Sequence, residues 1–236
     1  MKRCAFFVEG QTEMVFVSRL LTEIANKGQI AITKMKASGG AKSPRTLLVI
    51  EATRPDPKQE YFVLIVDSGG DSTVKSDVID QYQSLVGAGY EAIVAIRDVY
   101  PLAMGDVGSL RTGLAAGLPQ GPVLPVFVLG IMEIESWFLA EHTHYPHLDA
   151  QLTAQRIKAD LGFDPSVDDM QLRATPAPDL NAAYSLVGMA YKKNRKSVER
   201  TVDLLDYARM YLEFPGKFGD VAVLMKAIDQ FFTIKI

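Results

Sequence analysis

The sequence predicts an α/β fold, a mainly parallel sheet flanked by helices, with a helical C-terminal extension. Continuous apolar runs such as "RCAFFV" and "YFVLIVD" suit strands covered on both faces. Between them lie stretches whose apolar residues recur every three to four positions, the mark of one helix face. From about His142 onward the pattern is helical and loop-rich. The expected organisation is an α/β unit over residues 1–140 and a helical extension over 141–236 packed on it, with no internal repeat and no long linker.

The elements follow in order. "RCAFFV" ends in Glu9-Gly10. From Thr12 the residues Phe16, Leu20 and Ile24, with Val17 and Leu21 beside them, define a helix that stops near Asn26-Lys27-Gly28. "QIAITKMKA" reads as a second strand. "SPRTLLVIEATR" is expected as a helix despite its β-branched residues, and "RPDPKQE" as a loop. "YFVLIVD" is the clearest strand and ends in Asp67. Gly69, Gly70 and Asp71 form a turn into a helix near Lys75 to Val86, stopped by "GAG". "EAIVAIRD" is a strand ending in Asp98, and "PVLPVFVLGIMEIESWFLAEH" begins as a strand and turns helical around Glu133 to Glu141. "LTAQRIKADLGF", "DLNAAYSLVGMAY", "SVERTVDLLDYARMYLEF" and "FGDVAVLMKAIDQFF" supply the later helices.

Composition narrows the function classes. A formal charge of -3 over 236 residues argues against a general nucleic-acid coat, whose binding draws on excess Lys and Arg. Cys4 is the only cysteine, so an intrachain disulfide and a multi-cysteine zinc site are excluded. The apolar run before Glu9 is too short for a signal peptide, and no apolar stretch is long enough to span a membrane. A cytoplasmic protein without membrane partners is the expectation; its oligomeric state is left open.

The acidic residues carry the chemistry. Glu9, Asp67 and Asp98 each stand where an apolar strand ends, the edge at which open parallel sheets bind ligands. Glu13, Glu133 and Glu135 are further candidates. Carboxylates gathered in a cleft are the usual oxygen donors for Mg²⁺ or Mn²⁺, and such a cation relieves the repulsion between Glu9 and Glu13. A two-metal arrangement could activate water against a phosphodiester. Each residue also has a plain role: Glu13 as a first-turn acid, Asp67 as a turn acid, Asp98 as an ion-pair partner of Arg97. Glu133 and Glu135 lie two apart and diverge on a regular helix, so only one is expected to reach the cleft.

Other features weigh less. "SGGAKS" lacks phosphate-loop spacing, although Lys42 or Ser43 could touch a phosphate. "GAGYEA" precedes a strand and reads as a helix stop. "EHTHYPH" holds all three histidines, and His142 and His144 could ligate zinc; without an H-E-x-x-H pattern or cysteine partners, a surface loop is the expectation. Trp137 and Phe138 are expected in the core. The basic run "YKKNRKSVER", with Lys192, Lys193, Arg195 and Lys196, is either a solvated helix start or a phosphate-binding patch, in which one lysine could stabilise transition-state charge.

"FFVEGQTE" resembles the first motif of the Toprim superfamily, most closely the VEGxTE form of OLD-family nucleases and of small Toprim-like proteins often encoded near ATPases. "AIRDVYPL" resembles the strand-end Asp segment of those small proteins, and "MEIESWFLAE" their acidic helix start; the likeness spans roughly residues 4 to 140. The resemblance implies a Toprim-like, Rossmann-like sheet, Glu9 as the signature glutamate and Glu13 as its companion, both serving metal. The Asp-x-Asp motif of Toprim enzymes is absent: Asp67 is followed by Asp71, and Asp98 by Val99 and Tyr100. The resulting expectation is metal-dependent phosphodiester chemistry on nucleic acid, with Glu9 and Asp98 catalytic and, by resemblance alone, an ATPase partner in a defence system. A non-catalytic partner module and a metal-dependent phosphatase of small phosphorylated molecules are the alternatives.

Overall fold

A computed structural model describes residues 1–25, 28–40, 43–54 and 56–232. Its six strands are β1 (Lys2–Val8), β2 (Ile30–Gly40), β3 (Ser43–Ala52), β4 (Tyr61–Asp67), β5 (Ala92–Asp98) and β6 (Val126–Gly130). They form one sheet in the order β3-β2-β4-β1-β5-β6, parallel throughout except where β3 runs antiparallel to β2. Ten α-helices accompany them among the described residues: α1 (Gln11–Ala25), α2 (Asp71–Gly87), α3 (Val107–Ala115), α4 (Glu135–Ala140), α5 (Tyr145–Leu148), α6 (Ala154–Leu161), α7 (Pro176–Ser185), α8 (Arg195–Leu204), α9 (Tyr207–Glu213) and α10 (Gly219–Phe232). This is the α/β class with a mainly parallel sheet that the sequence predicts.

Strand alternation explains the two-sided burial. Cys4, Phe6 and Val8 of β1 point into a large core with Ile32, Val63, Ile65 and Val94, while Ala5 and Phe7 point into a second core with Leu64, Val66, Val74 and Val78. The first core runs on unbroken into the C-terminal helices through Phe16, Trp137, Phe138, Tyr184, Met210 and Leu224. Trp137 and Phe138 are fully buried, as expected, and both rings lie against Phe16. Full burial of one such side chain stabilises the fold by about 1.5–3 kcal/mol.

Several local expectations are corrected. "SPRTLLVIEATR" is not a helix: its residues form β3, where Leu48 and Val49 pair with Lys36 and Met35. Thr46, Val49 and Ile50 are β-branched, which suits a pleated strand and crowds a helix turn. "SVERTVDLLDYARMYLEF" is broken into α8 and α9, because Asp206 accepts the Arg209 N–H and caps a new helix. The histidine segment is not a surface loop. His144 is completely buried, its Nδ1 against the Glu141 carbonyl and its Nε2 2.9 Å from the Tyr184 hydroxyl. The helix stop at Asn26-Lys27 and the residue Lys42 lie outside the described residues.

Candidate functional site

The three central strands place the first acids. Asp67 closes β4, in register with Val8, and Asp98 closes β5 on the other side of β1. Glu9 follows β1 directly, so the three residues stand at adjacent carboxyl ends. Glu9 Oε2 accepts the Asp98 backbone N–H at 3.1 Å. Glu13, in the first turn of α1, folds back and accepts the Gly10 N–H through Oε2 at 2.9 Å. Asp98 Oδ1 accepts the Ile134 N–H at 2.9 Å. Its carboxylate lies so close to Gly130 that a Cβ there would overlap Oδ1 and press on the Ile134 nitrogen. Arg97, expected as the ion-pair partner of Asp98, pairs instead with Asp71 at 3.1 Å.

Glu133 and Glu135 converge, against expectation. Glu133 precedes α4 and sits in the turn after Met132, whose φ of 58° is left-handed, so helical spacing does not separate the two side chains. Both reach one ammonium: Lys193 Nζ lies 2.8 Å from Glu133 Oε1 and 3.3 Å from Glu135 Oε2. Glu133 Oε2 also accepts the Ala177 N–H in the first turn of α7. Tyr191 donates its hydroxyl to Glu135 Oε1 at 2.8 Å. The connection between α7 and α8 thus delivers two side chains, Tyr191 and Lys193, to a cluster rooted in the sheet.

Crowding governs the electrostatics. Glu13 is pushed up to about 8, first by burial and then by the charges of Glu135 and Glu9. Asp98 is raised well above the ordinary range by burial and by Glu13, Glu135 and Glu9. Glu9 is raised, chiefly by burial, against the Asp98 N–H bond that favours its anion. Glu135 is raised by burial, with Lys193 opposing. Burial disfavours the Lys193 ammonium, but Glu135, Glu133 and Asp98 outweigh it and hold its pKa above the usual range. Lys193 thus pairs with Glu133 and Glu135, and its charge also favours the anions of Glu9, Glu13 and Asp98.

Glu9, Glu13, Asp98 and Lys193 open onto a cavity of about 340 Å³, which Asp67, Gly69, Gly70 and Lys36 also line. Asp67 turns its Oδ1 onto the Gly69 N–H at 2.8 Å. No protein-family model, curated protein or solved structure matches the chain.

Among the described residues no three His, Cys, Asp or Glu side chains are arranged as a ready metal-ligand set. The donor chemistry nevertheless fits a hard cation. Among the described residues one oxygen each of Glu9, Glu13 and Asp98 is pinned by a backbone N–H, and Glu135 Oε2 is buried without a hydrogen-bond partner.

The structure gathers Glu9, Glu13, Asp98, Glu133 and Glu135, keeps Asp67 on the cavity wall, and divides the basic run. Lys193 enters the cluster. Arg195 pairs with Glu199 at 2.7 Å and approaches Glu51 at 3.8 Å, while Lys192 and Lys196 are exposed. Tyr191 and Lys36 escaped the sequence reading. Tyr191 stands where the helical stretch "DLNAAYSLVGMAY" meets the basic run "YKKNRKSVER", neither of which marks its hydroxyl, and Lys36 reaches the cavity because β2 pairs it with Asp67.

Proposed function

We propose that the acidic cleft holds Mg²⁺ or Mn²⁺ and carries metal-dependent phosphodiester chemistry on nucleic acid within a Toprim-like fold. The observation that carries this reading is the charge imbalance: Glu9, Glu13, Asp98, Glu133 and Glu135 crowd at the carboxyl edge of the sheet, where Lys193 pairs with Glu133 and Glu135 alone among the described residues. A bound divalent ion supplies Lewis-acid polarisation of a phosphoryl oxygen and acidifies water. Glu9, Glu13 and Asp98 would hold it, with Asp67 available from the same cavity. Glu133, occupied by Ala177 and Lys193, supports the site from behind. Lys36, at the cavity mouth, offers a positive charge to a substrate phosphate.

A second reading, a phosphatase of small phosphorylated molecules, draws on the cavity itself. Its volume falls within the range of about 300–1,000 Å³ usual for small-ligand pockets. A panel of single-stranded, duplex and supercoiled nucleic acids beside small phosphate esters, with Mg²⁺ or Mn²⁺, separates the two. Because the ATPase association rests on resemblance, the panel is run with and without any genetically linked ATPase. Cleavage of nucleic acid that depends on metal and is lost in Asp98→Asn supports the first reading. Turnover of small esters alone supports the second, and no metal binding at all leaves a non-catalytic partner module.

A further inference from the structure

We propose that Lys193 is a resident counter-ion of the acidic cleft, which an incoming divalent cation displaces from Glu135. This rests on the metal-binding reading above and adds a role for a residue on the helical side of the molecule. Lys193 Nζ occupies the place where a cation is most needed, against Glu133 Oε1 at 2.8 Å and Glu135 Oε2 at 3.3 Å. Glu135 Oε2 has no hydrogen-bond partner among the described residues, so the ammonium meets it as a charge rather than as a well-directed donor. Such a contact is the one a more highly charged ion can replace.

The surroundings permit exchange without moving the fold. Tyr191 N–H is held by Asn181 Oδ1, Lys192 N–H by Ser197 Oγ, and Asn194 caps α8 through the Ser197 N–H. The backbone on both sides of Lys193 is therefore pinned. Its side chain is 43% exposed although its ammonium lies on the carboxylates, so the flexible stem can carry the charge out toward the cavity that Lys193 itself lines. Glu135 stays in place through Tyr191, and Glu133 through Ala177. After displacement the ammonium stands beside the cavity, where a substrate phosphate would meet it.

The proposal orders three proteins by cation affinity. In Lys193→Met the carboxylates lose their competitor, and Mn²⁺ binds about tenfold tighter or more, the scale of effect expected for one charge removed from a half-buried site. In Lys193→Arg the planar guanidinium can grip a carboxylate with two parallel bonds, and Mn²⁺ binds more weakly than in the wild type. Mn²⁺ titration followed by electron paramagnetic resonance reads all three without any turnover. Metal-free Lys193→Met should melt below the wild type and gain more from saturating Mn²⁺. Equal or weaker Mn²⁺ binding by Lys193→Met, with the wild type binding normally, overturns the counter-ion role and leaves the metal site standing. If Lys193→Met does not fold, Lys193→Arg decides: affinity at or above wild type sinks the proposal. Absence of Mn²⁺ binding in every protein overturns both the metal reading and this one.

Discussion

Asp98 Oδ1 accepts the backbone N–H of Ile134 at 2.9 Å, joining the last residue of β5 to the turn that begins α4. Both ends of that bond rest against Gly130. The acidic cleft therefore depends on a position that has no side chain, and Gly130→Ala tests it. The added methyl would overlap the carboxylate, and such overpacking costs about 1–3 kcal/mol. We expect a lower melting temperature and loss of most Mn²⁺ stabilisation, read together by thermal denaturation with and without the ion. An unchanged Mn²⁺ response would show that Asp98 is not held where the cleft needs it.

Direct removal of charge makes the next prediction. Glu9→Gln keeps the shape and the carbonyl that accepts the Asp98 N–H, but discards one negative charge. The metal-free protein should be unchanged or slightly more stable, because burial and Asp71 already raise the Glu9 pKa. Its rise in melting temperature on adding Mn²⁺ should nearly vanish. A full rise in the variant would remove Glu9 from the metal site.

Much of this arrangement is legible in the sequence because it follows from strand ends. An apolar run covered on both faces must stop where the chain meets water, so Glu9, Asp67 and Asp98 announce the carboxyl edge. The convergence of Glu133 and Glu135 is hidden because it depends on the backbone of Met132, whose left-handed φ no periodicity reveals. The approach of Tyr191 and Lys193 to the acids is hidden for another reason: they lie more than fifty residues beyond Glu135, and only the continuous core that seats α7 and α8 on α4 and α1 brings them back. The mistaken helix at β3 shows the weight that β-branched residues deserve when a neighbouring strand is free to pair.

The raised carboxylates give the metal-free protein a definite pH dependence. Glu13 has a folded pKa near 8 against an ordinary value of 4.5, so the native state keeps a proton that the unfolded chain has released. Stability is therefore greatest at and below the ordinary glutamate range and falls as pH rises toward 8, by about 1.4 kcal/mol per pH unit for each proton retained. Asp98 and Glu135, raised by burial and by their neighbours, act in the same direction. Urea unfolding in chelator between about pH 5 and about pH 8 should show this decline, and Glu13→Gln should make it shallower. A flat wild-type profile would contradict the crowding of these groups.

Glu133 joins the two halves of the site, accepting the Ala177 N–H with one oxygen and Lys193 with the other. Glu133→Ala leaves a buried N–H at the start of α7 without its partner, which costs about 1–3 kcal/mol. Glu133→Gln retains an acceptor for Ala177 and should recover most of that loss. Chemical denaturation of the two variants checks the order. Equal stability of Ala and Gln would mean that Ala177 finds another acceptor.

The basic run gives the test that separates a nucleic-acid enzyme from one acting on small esters. Lys192 and Lys196 are exposed, whereas Arg195 is tied to Glu199 and Lys193 to the cleft. If a nucleic-acid strand crosses this face, the two exposed lysines are the charges ready to replace its counterions. Replacing both with Ala should weaken binding of an oligonucleotide and reduce the slope of log affinity against log salt by about 1.4 for a single strand and about 1.8 for a duplex, the loss of two phosphate contacts. Turnover of a small phosphate ester should be unchanged, because neither lysine lines the cavity. Fluorescence anisotropy across a salt series measures the slope. A double variant with wild-type affinity and slope would take the nucleic acid off this surface and favour the small-ester reading of the cleft.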